Sequence, residues 1–221
     1  MFKKVLALVL ASAVLLLSAC TKVEEAESFH GVIFPVSVYS DVFVEKAYLT
    51  TVDFPEDASF EEKQDVLALT VKNESNKTIQ LLRIKVTTDQ KEMIFEITTL
   101  PVNMPVNVFE KSGQTLAENE EIISISGENR VDFEKSVGLE RETFELDVHD
   151  KIINVRNITK EDINTDIYLY YKKKDADGNY FGGITFRAKI DGLKAGELKQ
   201  VSVSHFALSD SEVIFLDYAD K

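Results

Sequence analysis

The sequence predicts a mainly β protein, two tandem antiparallel β-sandwiches behind a cleaved leader. Three observations predict it. Short segments rich in β-branched and aromatic residues follow one another from His30 onward. Three blocks of similar sequence recur in one order, 84 to 93 residues apart. After the N-terminal leader there is no second apolar run of membrane length.

The leader comes first. Lys3 and Lys4 precede Val5 to Leu17, an uncharged and almost wholly apolar run of 13 residues. A hydrocarbon core needs about 20, so the run is too short to span one. A basic start, a short apolar core and a small-residue exit mark a secretory signal peptide over residues 1–19. Leu17-Ser18-Ala19-Cys20 resembles the lipobox of bacterial lipoproteins. The resemblance implies cleavage between Ala19 and Cys20, a diacylglyceryl group with palmitate-type chains on Cys20 Sγ, and a cell-membrane location facing outside the cytoplasm. Each buried methylene of such an anchor contributes about 0.8 kcal/mol.

Composition narrows the partners. Of 25 basic residues the leader takes Lys3 and Lys4, leaving 23 against 38 acidic ones in the remaining 202 residues. So acidic a chain repels nucleic acid and anionic headgroups, which leaves solubility, cationic partners or metal ions as uses for the charge. Cys20 is the single cysteine, so no disulfide forms within the chain.

Residues 20–28 are polar, charged and aperiodic, and read as a tether. Val42 to Val44 and Tyr48 to Val52 are early strands. Phe54 to Asp65 breaks the pattern, and Ser59 with Glu62 has capping-box spacing for a helical turn. Val66 to Val71 resumes a strand. Val71-Lys72-Asn73-Glu74-Ser75 with Ile79 then echoes Val155-Arg156-Asn157-Ile158-Thr159 with Ile163. Leu100 to Asn103 echoes Leu193 to Gly196, and Leu116 to Glu120 echoes Leu208 to Glu212. Each Asn sits where a strand meets a turn, because Asn bonds its own backbone. The repeated unit is strand, Asn turn, strand, hairpin, strand, turn, strand, and the second copy has the longer hairpin. Leu82, Ile84 and Val86 face one way, with Arg83 and Lys85 between them. The boundary falls near Gly127, giving domains 29–127 and 128–221. Residues 130–141 fit a strand or a short helix equally.

This V-x-N-x-[ST], strand, D-x-D-G, strand, L-x-x-G-E arrangement resembles the small immunoglobulin-like sandwich modules of bacterial surface lipoproteins, the FxLYD type among them. It covers about 60 residues of the second copy and less of the first. The resemblance implies two tandem immunoglobulin-like antiparallel β-sandwiches, and a fold does not fix a function.

Candidate chemistry is sparse. Asp175, Asp177 and Asn179 surround Gly178 as at the start of a calcium loop, yet the distant Glu and helical frame of such a loop are missing. An Asp-Gly hairpin tip accounts for the same residues. Tyr168, Tyr170, Tyr171, Tyr180 and Phe181 flank that tip beside Lys172 to Lys174. Of these, Tyr168, Tyr170, Tyr180 and Phe181 are the expected interaction surface, since aromatics are enriched at interfaces; cross-strand packing is the alternative. Gly182-Gly183 reads as a bulge or a close backbone approach. His30, His149 and His205 lack ligand spacing, and no metal or cofactor is expected. There is no H-E-x-x-H, G-x-S-x-G or phosphate-binding loop. Carboxylates are plentiful enough for a glycosidase pair, but the chain has no Trp to stack a sugar. The expectation is a non-catalytic, membrane-tethered module for an unknown protein or envelope ligand, with no nucleic-acid partner. An extracytoplasmic hydrolase with a carboxylate site is the alternative.

Overall fold

The computed structural model describes residues 28–53 and 62–218. Cys20, the leader, the tether up to residue 27 and most of the expected helical turn lie outside the described residues.

The described chain is all β. Its first half holds β1 (Ser28–Phe29), β2 (Val32–Ile33), β3 (Val36–Tyr39), β4 (Val42–Asp53), β5 (Glu62–Asn73), β6 (Ile79–Thr88), β7 (Glu92–Leu100), β8 (Val106–Phe109) and β9 (Ile122–Asp132). The second holds β10 (Phe144–His149), β11 (Ile152–Asn157), β12 (Ile167–Lys173), β13 (Tyr180–Phe181), β14 (Phe186–Ile190), β15 (Leu198–Ser202) and β16 (Ser211–Tyr218).

The internal echo is visible in the topology. In the first half, β4-β5-β8 forms one sheet and β7-β6-β9 the other. In the second, β10-β11-β15 and β14-β12-β16 repeat that order strand for strand. Each pair of sheets encloses its own core. Leu67, Leu69, Leu82, Ile84, Phe95 and Ile97 belong to the first, and Phe144, Val155, Leu169, Phe206 and Leu216 to the second. Strand β6 shows why: Leu82, Ile84 and Val86 are fully buried while Arg83 and Lys85 between them reach solvent. Burying each such side chain stabilises the fold by about 1.5–3 kcal/mol.

The two Asn turns share three side-chain bonds. Asn73 Nδ2 donates to Lys77 O at 2.8 Å and Leu100 O at 3.2 Å, and its Oδ1 accepts Ser75 N–H at 3.0 Å. Asn157 Nδ2 donates to Glu161 O at 2.7 Å and Leu193 O at 3.2 Å, and its Oδ1 accepts Thr159 N–H at 2.9 Å. Asn103 N–H closes on Asn73 O, as Gly196 N–H does on Asn157 O. Both amides are fully buried, so each ties two turns of its sandwich together where water cannot substitute.

Three sequence expectations need correction, and one open alternative is settled. Strand β5 begins at Glu62, not Val66, because pairing with the long β4 extends it. Gly127 lies inside β9, packed under the Tyr39 ring, and β9 stays paired with β6 to Asp132. Residues 130–141 contain the end of that strand, turns and bends, with no helix. The third repeated block aligns differently. Glu120 N–H bonds to Ala117 O and Asp210 N–H to Ala207 O, which puts Ala117 opposite Ala207, two residues from the alignment read in sequence. Backbone turn geometry set that register where leucines alone could not.

Candidate functional site

The loop between β12 and β14 leaves its own sandwich and docks on the first. Its strand β13 pairs in parallel with β8, Tyr180 against Val106 and Phe181 against Asn107. The Gly182 peptide joins both sheets of the first sandwich: its N–H donates to Asn107 O on β8 at 2.7 Å, and its carbonyl accepts Thr98 N–H from β7 at 3.0 Å. Thr185 Oγ1 donates to Thr98 O at 2.9 Å. A Cβ on Gly182 would stand 3.0 Å from Val106 and Val108 side chains, so glycine is required for this approach. The docking also covers an edge of each sheet, which would otherwise invite foreign strands.

Lys172 sits beneath this loop, fully buried. Its Nζ donates to Phe181 O at 2.9 Å, Ile184 O at 3.1 Å and Gly182 O at 3.2 Å. Those carbonyls use its three hydrogens. Burial pushes its pKa down to about 7.

Beside the docked loop lies an open cleft of about 590 Å³, within the range of small-molecule sites. Its floor is the outer face of the first sandwich: Lys46, Tyr48 and Thr50 on β4, Asn107 and Phe109 on β8. Its wall is Asp175, Asp177, Phe181, Ile184 and Phe186 from the second sandwich. The Phe109 and Phe181 rings meet at 5.8 Å across the seam. Lys46 Nζ lies 5.2 Å from the centre of the Tyr48 ring. Lys173 and Lys111 also reach the cleft, but Asp210 takes the first at 2.8 and 2.9 Å and Glu96 the second at 3.1 Å. Glu110 accepts from Ser112 N–H, Gln114 N–H and the Ser112 hydroxyl, and so holds its own turn.

A hydrogen-bonded chain runs along the floor. Asn107 Nδ2 donates to Asp175 Oδ2, and Thr70 Oγ1 donates to Asn107 Oδ1 at 2.6 Å. Burial raises the Tyr48 pKa, and the nearby charges of Asp175 and Asp177 raise it further.

The expected site residues take different places. Tyr180 is 4% exposed and belongs to the core of the first sandwich. Burial, followed by Glu212, raises its pKa strongly. Phe181 forms cleft wall. Tyr170 stacks on Phe215 at 4.2 Å, and Phe215 meets Phe133 edge-on. Tyr168 lies under Arg187 at 4.7 Å. The Asp-Gly tip is longer than a two-residue turn: Lys174 bridges to Tyr180, leaving Asp175 to Asn179 as the loop. Asp175 Oδ1 accepts the Asp177 and Asn179 N–H groups at 2.9 Å each, and Oδ2 accepts Asn107 and Asn179 side-chain amides. Calcium at Asp175, Asp177 and Asn179 would have to displace these four donors. Among the described residues no group of three His, Cys, Asp or Glu side chains is placed to hold a metal ion. The histidines lie apart: His30 on Glu120 O, His149 on Asp147, His205 beside Phe186.

Sequence reasoning missed Tyr48, Asn107 and Phe109, and it set Lys172 beside an exposed aromatic surface where the structure buries it. The cleft joins strands far apart in the chain, and the one local signal was Gly182-Gly183 after a hairpin longer than its counterpart. No protein-family model and no curated protein matches this chain.

Proposed function

We propose that this chain is a lipid-anchored protein of the bacterial cell envelope, whose two tandem immunoglobulin-like sandwiches bind a ligand, without chemistry, in the cleft at their seam. The cleft carries the proposal: an aromatic floor from one sandwich faces a wall from the other, and the docked loop holds both in place. Lipid on Cys20 would keep that cleft at the membrane surface on a short tether.

Electrostatics favour binding over carboxylate hydrolysis. A general acid needs a raised carboxyl pKa. Among the described residues, the carboxyls of Glu96, Glu120, Asp147 and Asp210 are held below their ordinary values, the opposite of what a general acid needs.

A photo-crosslinking residue at exposed Thr51, on the cleft rim, tests the reading in living cells. An adduct of one defined mass at Thr51, and none at exposed Glu145 on β10, supports it. Equal adducts at both positions, or none at either, refute it. Cys20→Ser should move the protein from the membrane pellet to the soluble fraction; retention in the pellet removes the anchor.

A further inference from the structure

Taking the cleft as a binding site, we infer that it continues over the docked loop and takes a ligand with an anionic head. A carboxylate or phosphate group is held at Lys151 and His205 on the second sandwich, and an apolar body lies across Phe186 and Ile184 into the cleft.

A second hollow, of about 440 Å³, shares Lys173, Ile184 and Phe186 with the cleft, so the two form one trough. None of the described acidic side chains lines this hollow, although acids outnumber bases 38 to 25 in the chain. The carboxylates of the cleft, Glu110, Asp175 and Asp177, stay outside it. Lys173 is spent on Asp210. Lys151 pairs with no acidic side chain among the described residues, and its neighbour Asp150 turns a carboxylate oxygen to Leu208 N–H at 2.8 Å. The backbone places Lys151 in an unusual way. His149 pairs with Ile152, so Asp150 and Lys151 make a two-residue hairpin turn. Lys151 has φ +63°, the left-handed conformation in which an Asp-Gly turn would put its glycine. Its N–H donates to Phe206 O at 2.9 Å and its carbonyl accepts Val203 N–H at 2.8 Å, which fixes the turn against residues 203–206. A lysine held in a glycine's conformation, lining a hollow without acids, is a fixed cation that the turn itself does not need. His205, exposed beside it, offers an imidazole N–H in either tautomer and stands 6.3 Å from the Phe186 ring. From Phe186 and Ile184 the trough leads on to Phe181 and Phe109, an apolar track for the body of the ligand.

Calorimetric titration of the full chain with phenylbutyrate, phenylbutanol and phenylbutylamine varies the head on one body. Phenylbutyrate should bind, with the alcohol and the amine roughly tenfold weaker. Phenylpropylphosphonate, of like shape, should bind too, and the tighter of the two anions names the head. Lys151→Gly should weaken both anions by roughly threefold or more, yet leave the urea midpoint unchanged or raised, because glycine adopts this turn without strain. Lys151→Asn, which also tolerates the left-handed conformation, should do the same. Acid, alcohol and amine binding alike, or both variants binding the acid as tightly as the wild type, overturns the anionic head but leaves the cleft a binding site. No binding of phenylbutyrate also overturns the head; the cleft reading then stands or falls on the Thr51 adduct alone.

Discussion

Lys172→Met isolates a fully buried lysine at the seam. Lys172 is buried among carbonyls, with its folded pKa near 7 against an ordinary value of 10.5. Between those values the unfolded chain holds the proton and the folded chain releases it, so stability must rise with pH. Below pH 7 both states are protonated and the cost of burying the charge is fully present. Above about pH 10.5 neither is, and the cost is gone. From pH 7 to 9.5 the two titrations predict a gain of about 3 kcal/mol. Three carbonyl oxygens favour the ammonium and reduce that figure, so it is an upper value. The tyrosines with raised pKa, Tyr48, Tyr171 and Tyr180, act in the opposite direction and only as pH climbs through 10. Methionine keeps most of the volume and removes both the charge and the donors. Urea unfolding of both proteins at pH 7 and 9.5 measures the difference. The wild type should gain stability relative to Lys172→Met by up to about 3 kcal/mol over this interval. At pH 9.5 the variant should be less stable by about 1–3 kcal/mol, because carbonyls lose their donors. Parallel stability curves for the two proteins would refute a titrating buried lysine.

Other perturbations probe the remaining contacts. Tyr180→Ala removes a ring of the second half from the core of the first, and should cost about 3–5 kcal/mol in urea unfolding. Gly182→Ala drives a methyl toward Val106, Val108 and Ile97, and should cost about 1–3 kcal/mol by the same measurement. Asn73→Ala and Asn157→Ala should each cost about 2–4 kcal/mol, and by similar amounts, because they break equivalent buried bonds. Burial alone would raise the Glu120 carboxyl, but bonds from Thr88, Lys91 and Ala117 N–H outweigh it and hold its pKa below 4.5. Its contribution is present above pH 4.5 and lost as pH falls through the lower folded value, so Glu120→Gln should flatten the acid limb of the stability curve.

Much of the fold was legible because it rests on local signals. Alternation of Leu82, Ile84 and Val86 with Arg83 and Lys85 marked one face of β6, and Asn73 and Asn157 marked the repeat. The repeat in turn marked the longer second hairpin. What that hairpin reaches was not legible. Tyr180 and Phe181 carry the aromatic signature of an interface, and a sequence cannot say whether the partner is another molecule or the neighbouring sandwich. Gly127 looked like a boundary because glycine marks turns as well as strand positions pressed against a ring. The cleft was hidden for the same reason as the docking: Tyr48, Asn107 and Asp175 meet only after both sandwiches have formed.

The cleft exists only while the β13 loop is docked, and amide hydrogen exchange measures that docking directly. Gly182 N–H bonds to Asn107 O and Thr98 N–H to Gly182 O, so both amides cross the seam. They should exchange as slowly as the amides of β8. Exchange at the rate of an open chain at Gly182 and Thr98, with β8 still protected, would contradict a docked loop and remove the cleft built on it.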